Sequence, residues 1–140
     1  MHNISTRQWI ARLLIGIVTL WNLQAAFVFI FAPNRFVQAY ELSGVVGEAT
    51  IRGFGVLFMM WNVPYLFALK DPVRYQIALV FTLLMQSIGL IGESYIFSTI
   101  GVEHILLRNS ILRFIIFDGI GLLLLAIAYW ITKTKSPNKE

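Results

Sequence analysis

Residues 13–34 read LLIGIVTLWNLQAAFVFIFAPN, twenty-two residues without a charged side chain. A helix needs roughly 20 mostly apolar residues to cross the hydrocarbon core of a bilayer, which is about 30 Å thick. The stretch therefore predicts a membrane-spanning helix, which we place at residues 8–32 because Pro33 ends it. Strands of a membrane barrel are a poor alternative, since they alternate apolar and polar residues in segments of about ten.

The composition of the whole chain supports the same class of protein. Its 140 residues are 58% hydrophobic and only 13% charged, with a mean hydropathy of +0.74. A typical soluble domain is roughly 45–50% hydrophobic and about 25% charged. The chain has no cysteine, which excludes thiol chemistry, and its two histidines are too few for an ordinary zinc site. We therefore expect neither a metal nor a cofactor.

Three further stretches are long and apolar enough to span a membrane, and we place them at residues 49–69, 73–98 and 104–132. The intervening segment 33–48 is too polar to span. Pro33 suits the first turn of a helix and Gly44 suits its end, so the segment predicts a short interfacial helix on the outer surface. An ordered loop without a role remains the alternative. The sequence thus predicts an all-α, polytopic membrane protein, one domain with a bundle of four transmembrane helices.

Basic residues near the ends of the predicted spans indicate the orientation. Four spans put both termini on one side of the membrane, together with the turn at residues 70–74. Seven of the eleven basic residues lie on that side, namely Arg7, Arg12, Lys70, Arg74, Lys133, Lys135 and Lys139. We therefore expect a multi-pass protein of the inner (plasma) membrane with both termini in the cytoplasm. The basic residues then contact membrane lipid, and no basic surface remains for nucleic acid.

Polar residues inside the predicted spans are the candidate site, because such groups are costly in a bilayer and are functional candidates by default. A rise of about 1.5 Å per residue separates them into two levels. Four charged residues lie toward the outer end, namely Glu48, Arg52, Glu93 and Arg113. Four polar residues, one on each helix, lie near mid-membrane, namely Asn22, Asn62, Gln86 and Asp118.

Two interpretations of these residues remain open. The charges either cancel in ion pairs that organise the fold, or they line a pocket open to the outer leaflet. Glu48 and Arg52 are four residues apart and are expected to pair on one helix, and a set of Arg52, Glu93 and Arg113 is the second expected grouping. A transport path has less support, because no polar residues continue toward the cytoplasmic side.

Two short motifs carry a family resemblance. The turn after the first predicted helix reads Ala32-Pro33-Asn34-Arg35-Phe36, and the second helix opens with Ile51-Arg52-Gly53-Phe54-Gly55. With the turn Ala68-Leu69-Lys70-Asp71-Pro72, this pattern resembles the DoxX-like group of small four-helix bacterial membrane proteins. The resemblance implies a bacterial inner membrane. Some relatives are linked to thiosulfate–quinone oxidoreduction or sterol-type isomerisation, and only Glu93 and Asp118 offer acids for the latter chemistry here.

Motifs of soluble enzymes such as GxSxG, HExxH and the Walker sequence are absent from the chain. We therefore expect a non-enzymatic membrane protein, either an accessory subunit of a larger membrane complex or a binder of a small lipophilic molecule. One alternative is a membrane-embedded isomerase or oxidoreductase acting on a lipid-like or quinone-like substrate, in a cavity lined by the charged groups and by Trp61 or Phe117. A second alternative is a homo-oligomeric channel with the polar residues at a subunit interface.

Overall fold

The computed structural model describes residues 5–133, which form four long helices and one short helix. These are α1 (Thr6–Phe31), α2 (Asn34–Val37), α3 (Gly44–Lys70), α4 (Gln76–Thr99) and α5 (Ile105–Thr132). A 3-10 turn, Gln38–Tyr40, continues α2. The four long helices are each long and apolar enough to cross a membrane, which confirms the predicted all-α, four-helix membrane bundle. Lys135, Lys139 and one of the two histidines, His2, lie outside the described residues.

The four long helices run alternately up and down. Helix α1 packs against α3 and α5, and α4 packs against α5; α3 and α4 are also neighbours, but they pack less closely than these three pairs. Large apolar side chains cover the outside of the bundle, and Leu20, Ile91 and Leu123 are 66%, 69% and 62% exposed. Such a surface is stable in lipid and not in water. The chain is therefore a multi-pass membrane protein.

Local hydrogen bonds explain where two helices begin. Ser5 and Gln8 form a capping box, which starts α1 at Thr6, two residues before the predicted position. The side chain of Asp71 accepts hydrogen bonds from the backbone amides of Val73 and Arg74 at 3.1 and 3.0 Å. This turn delays the start of α4 until Gln76, whereas the prediction had residue 73.

The connection between α1 and α3 contains the predicted interfacial helix, but its end was predicted wrongly. The helical part ends at Glu41, which has a left-handed φ of 54°, and the amide of Leu42 donates to the carbonyl of Val37 at 2.8 Å. Because this contact satisfies the end of the short helix, Gly44 is free to begin the spanning helix α3. We call residues 34–41 the lid segment, and we call the end of the bundle that carries it the lid end.

Two apolar cores hold the helices together. At the end opposite the lid, small residues such as Ala11, Ala68, Ala78 and Ala128 are buried. Small side chains let membrane helices approach closely. At the lid end the core instead contains bulky rings, with Phe29 packed on Phe36 and Phe58. We attribute the more open packing at that end to these rings, and the cavities described below lie around them.

Candidate functional site

A chain of hydrogen bonds links three helices in the middle of the bundle. The Tyr65 hydroxyl donates to Gln86 Oε1 at 2.6 Å, and Gln86 Nε2 donates to Asp118 Oδ1 at 2.7 Å. Tyr65 and Gln86 are only 2% and 3% exposed. A buried polar group is expensive unless it has a partner. The amide of Gln86 satisfies both neighbours at once and is therefore the centre of the network.

Two glycines make room for this network. Gly89 of α4 lies directly against the carboxylate of Asp118, and Gly121 of α5 lies against the amide of Gln86. A methyl group at position 121 would come within 2.6 Å of Gln86 Nε2. Each of these two helices thus provides a glycine opposite the other helix's polar side chain, which lets α4 and α5 pack closely around polar groups.

The network borders a small polar cavity of about 80 Å³. Asn22, Trp61 and Glu93 line it together with the hydrogen-bonded residues. Neither Glu93 nor Asp118 forms an ion pair with any residue in the described range 5–133. Two carboxyl groups therefore face one cavity without a neighbouring cation from that part of the chain.

Two larger apolar cavities flank the polar one. The first, about 450 Å³, lies between α1 and α5 beneath the lid segment, and we call it the α1–α5 cavity. The second, about 390 Å³, lies beside the weak contact between α3 and α4. Phe58 and Phe114 line all three cavities, and their rings stack with centroids 5.7 Å apart. This aromatic pair is therefore a wall that the three cavities share.

The lid segment is attached to the start of α5 by two contacts. The Ser110 hydroxyl donates to the carbonyl of Ala39 at 2.8 Å, and His104 Nδ1 lies 2.5 Å from a carboxylate oxygen of Glu41. The hydrogen bond to Glu41, then the charge of that carboxylate, raise the pKa of His104 above its usual value. The second contact is therefore strongest when the imidazole is protonated.

The charged residues predicted for the outer end do not assemble as expected. Arg52 pairs with Glu48 at 3.5 Å, as predicted for residues one turn apart, but both side chains are exposed. The predicted set of Arg52, Glu93 and Arg113 is wrong, because Glu93 lines the polar cavity and Arg113 lines the α1–α5 cavity. The physical reason is angular: position along a helix fixes the level of a side chain, but its direction around the helix axis decides which cavity it faces.

The mid-membrane residues come together more closely. Asn22, Gln86 and Asp118 share the polar cavity, where Asn22 and Gln86 are buried and Asp118 is partly buried. Asn62 is buried, but its amide donates to the carbonyl of Phe58 in its own helix at 2.7 Å. The sequence analysis did not predict that Tyr65 belongs to this network. Its position indicates it, because Tyr65 lies three residues after Asn62 on the same face of the helix.

The arrangement suits hydrogen bonding and proton transfer more than metal binding. Within residues 5–133, no three His, Asp or Glu side chains lie close enough to hold a metal ion. The Trp61 and Phe117 side chains named in the enzyme hypothesis do line cavities, Trp61 the polar one and Phe117 the α1–α5 cavity.

The fold and its cavities define a multi-pass membrane protein with a polar network that adjoins two apolar clefts. Comparison of the chain with models of protein families, with curated proteins and with solved structures finds no match.

Proposed function

We propose that this protein binds a small lipophilic molecule inside its bundle and that it is not an enzyme. The observation that carries the proposal is the α1–α5 cavity of about 450 Å³. Binding pockets for small molecules have volumes of roughly 300–1,000 Å³, with mostly apolar walls and a few polar groups that orient the ligand. The cavity has this character, with Phe29, Phe36 and Phe117 on its walls and Asn22 on its inner side.

The polar cavity supports a defined orientation for such a ligand. It adjoins both apolar cavities through shared walls, since Asn22 also lines the α1–α5 cavity and Trp61 also lines the cavity beside α3 and α4. A hydroxyl or carbonyl group on the ligand would reach the free oxygen of Asp118 or the amide of Asn22. The hydrocarbon part would stay in an apolar cavity, where its burial is favourable.

The test is saturable quenching of tryptophan fluorescence by dibromostearyl alcohol, a neutral lipophilic probe, with the purified protein in detergent. Trp21 lines the α1–α5 cavity and reports its occupancy. Replacing Ala25, which also lines this cavity, by Phe fills space and is expected to weaken binding at least tenfold. The control is Leu20→Phe, because Leu20 faces outward on the same helix.

Equal binding by the Ala25→Phe and Leu20→Phe proteins would contradict the proposal, since the probe would then sit on the outer surface. Quenching that never saturates in the unmodified protein would contradict it as well. A native ligand is expected to appear when lipid extracts of the purified protein are compared with extracts of the Ala25→Phe protein by mass spectrometry.

A membrane-embedded enzyme is the second candidate, and the two carboxyl groups on the polar cavity favour it. Glu93 or Asp118 would donate or accept a proton next to a bound lipid-like or quinone-like substrate. We would compare lipid extracts of cells that produce the unmodified protein or the Asp118→Asn variant. A product that disappears with Asp118→Asn at unchanged protein yield supports the enzyme, and identical extracts contradict it.

The channel and the accessory-subunit alternatives have less specific support. The burial of Asn62 and Gln86 inside one chain does not favour a polar layer at a subunit interface. A larger membrane complex remains a proposal that copurification from native membranes would test. Membership of the DoxX-like group is likewise a proposal, based on the motifs around Pro33 and Arg52.

We also propose a bacterial inner-membrane location with both termini in the cytoplasm. The distribution of basic residues supports this orientation, because Arg12 and Lys70 meet at the end opposite the lid, where Arg12 Nη2 donates to the Lys70 carbonyl at 2.5 Å. The chain has no cysteine, so single cysteines can be labelled specifically. An impermeant maleimide is expected to label Arg35→Cys in spheroplasts and Arg74→Cys only after permeabilisation. The reverse pattern would contradict the orientation.

A further inference from the structure

Arg113 differs from the other charged residues of the bundle. It lies eight residues into α5, about 12 Å along the helix at ~1.5 Å per residue, and its side chain lines the α1–α5 cavity. Within the described part of the chain it has neither an ion-pair partner nor a side-chain hydrogen bond. An arginine at membrane depth is costly unless an anion or water compensates its charge.

No acid in residues 5–133 forms an ion pair with Arg113. Glu48 pairs with Arg52, and both Glu41 and Glu103 contact His104. The remaining acids are Asp71, in the turn before α4, and Glu93 and Asp118, on the wall of the polar cavity. The protein segment that the structure describes therefore supplies no counter-ion for Arg113.

The lid segment lies between Arg113 and the lid end of the bundle. Helical side chains lean toward the N-terminus of their helix, so Arg113 leans toward Ser110, one turn earlier. Ser110 holds the carbonyl of Ala39 in the lid segment, and Ala39 and Tyr40 line the cavity with Arg113. Arg113 is exposed and lines the cavity beside the lid segment, so an anion that enters the cavity can reach its guanidinium group. An anion that compensates Arg113 is best placed inside the cavity.

The same cavity also offers a neutral hydroxyl donor. Tyr40 lines the same cavity, and burial, followed by the negative charge of Glu93, raises the pKa of its hydroxyl. The hydroxyl therefore keeps its proton. Arg113 on α5 and Tyr40 in the lid segment thus give the cavity one cationic and one neutral donor, and Phe117 and Ile120 supply apolar walls.

We propose that the α1–α5 cavity takes an anionic amphiphile whose acidic headgroup, a carboxylate or a phosphate, pairs with Arg113 under the lid while its hydrocarbon chain lies along the aromatic wall. This inference rests on the proposed function and specifies the chemical class of the ligand. Charge complementarity carries it, because an acid supplies both the missing counter-ion and the apolar chain that the cavity accommodates.

The experiment compares dibromostearate with dibromostearyl alcohol, which have matched chains and differ only in the headgroup charge. The reporter is a protein that keeps Trp21 while the other three of the four tryptophans are replaced by Phe. We expect the acid to bind at least tenfold more tightly than the alcohol. Arg113→Gln is expected to remove this preference, and Arg113→Lys to retain part of it. The matched control is Arg52→Gln, which removes an exposed arginine from the lid half of α3 and should keep the preference.

A second experiment identifies the source of the acid. The unmodified and Arg113→Gln proteins are released from nanodiscs that contain equal amounts of phosphatidylglycerol and phosphatidylcholine, and retained lipid is weighed by native mass spectrometry. Retention of phosphatidylglycerol that depends on Arg113 indicates a bilayer lipid as ligand. Tight binding of dibromostearate alone indicates a free fatty acid.

The outcomes separate this inference from the proposed function. If acid and alcohol bind equally well, or if Arg113→Gln keeps both the preference for the acid and the retained phosphatidylglycerol, the anionic class is overturned while lipophilic binding stands. An equal loss of the preference for the acid with Arg52→Gln would also overturn the anionic class, because the overall surface charge would then explain the preference. If neither probe binds at all, the proposed function itself fails.

Discussion

The replacement Gln86→Leu tests whether the hydrogen-bonded network organises the bundle. Leucine has nearly the same size but provides neither of the two hydrogen bonds, at 2.6 Å to Tyr65 and 2.7 Å to Asp118. Both partners would remain in the protein interior, and no other side chain is a hydrogen-bond partner of Asp118 in the described part of the chain. The variant therefore leaves one hydroxyl and one carboxyl group without their present partner.

The expected loss in the free energy of unfolding follows from these two hydrogen bonds. Hydrogen bonds between membrane helices average about 0.6 kcal/mol in double-mutant cycles, which gives a lower value of roughly 1.2 kcal/mol for two. Net contributions of buried hydrogen bonds reach about 1.5 kcal/mol each, which gives an upper value of roughly 3 kcal/mol. We therefore expect Gln86→Leu to lower the free energy of unfolding by about 1–3 kcal/mol.

The assay is reversible unfolding in mixed micelles, followed by tryptophan fluorescence. The control is Ser87→Ala, because the hydroxyl of the neighbouring Ser87 donates only to the carbonyl of Leu83 in its own helix. We expect the control to change stability by less than about 0.5 kcal/mol. A double-mutant cycle with Tyr65→Phe should give a coupling of about 0.6–1.7 kcal/mol with Gln86→Leu. Equal stability of Gln86→Leu and the control, or a coupling of zero, would refute the reasoning.

Three further predictions concern helix packing and the lid. Gly55→Ala would place a methyl group 2.9 Å from a backbone oxygen of α1, so we expect a loss of about 1–3 kcal/mol in the same unfolding assay, whereas Gly92→Ala, with nothing within 4 Å, should be neutral. Because the pKa of His104 is raised in the folded protein, the stabilisation by its contact with Glu41 is complete below pH 6.5 and is lost as the pH rises through the raised pKa. Hydrogen exchange in the lid segment, corrected for its intrinsic rate, should accelerate as the pH rises through this range. Glu41→Gln should remove the pH dependence, and an unchanged pH profile in this variant would contradict the role of the His104–Glu41 contact. Ser110→Ala should accelerate the same exchange at every pH, and unaltered exchange would show that its bond to the lid contributes little.

The number and approximate positions of the spanning helices could be predicted from local sequence. Length and apolar content decide whether a segment can cross a bilayer, and both are properties of consecutive residues. The exact ends depended on side-chain contacts with the backbone, as Asp71 shows by delaying α4. Gly44 was misassigned for the same reason, since Glu41 and Leu42 had already ended the lid segment.

Part of the candidate site could be predicted in the same way. The expectation that polar residues from different helices share one level holds for Asn22, Gln86 and Asp118, because depth follows from position along a helix. The expected grouping of Glu93 with Arg113 failed, since depth says nothing about which side of a helix faces which neighbour.

The amino-acid sequence by itself determined that this chain has four spanning helices with polar residues within them, because apolar length is a local property of the sequence. Only the tertiary structure decided that Tyr65 belongs to the polar network, that Gly89 and Gly121 admit it, and that Arg113 faces a separate cavity. These facts depend on how the helices are rotated about their axes. That rotation is set by packing between side chains far apart in sequence, small ones at one end and aromatic ones at the other.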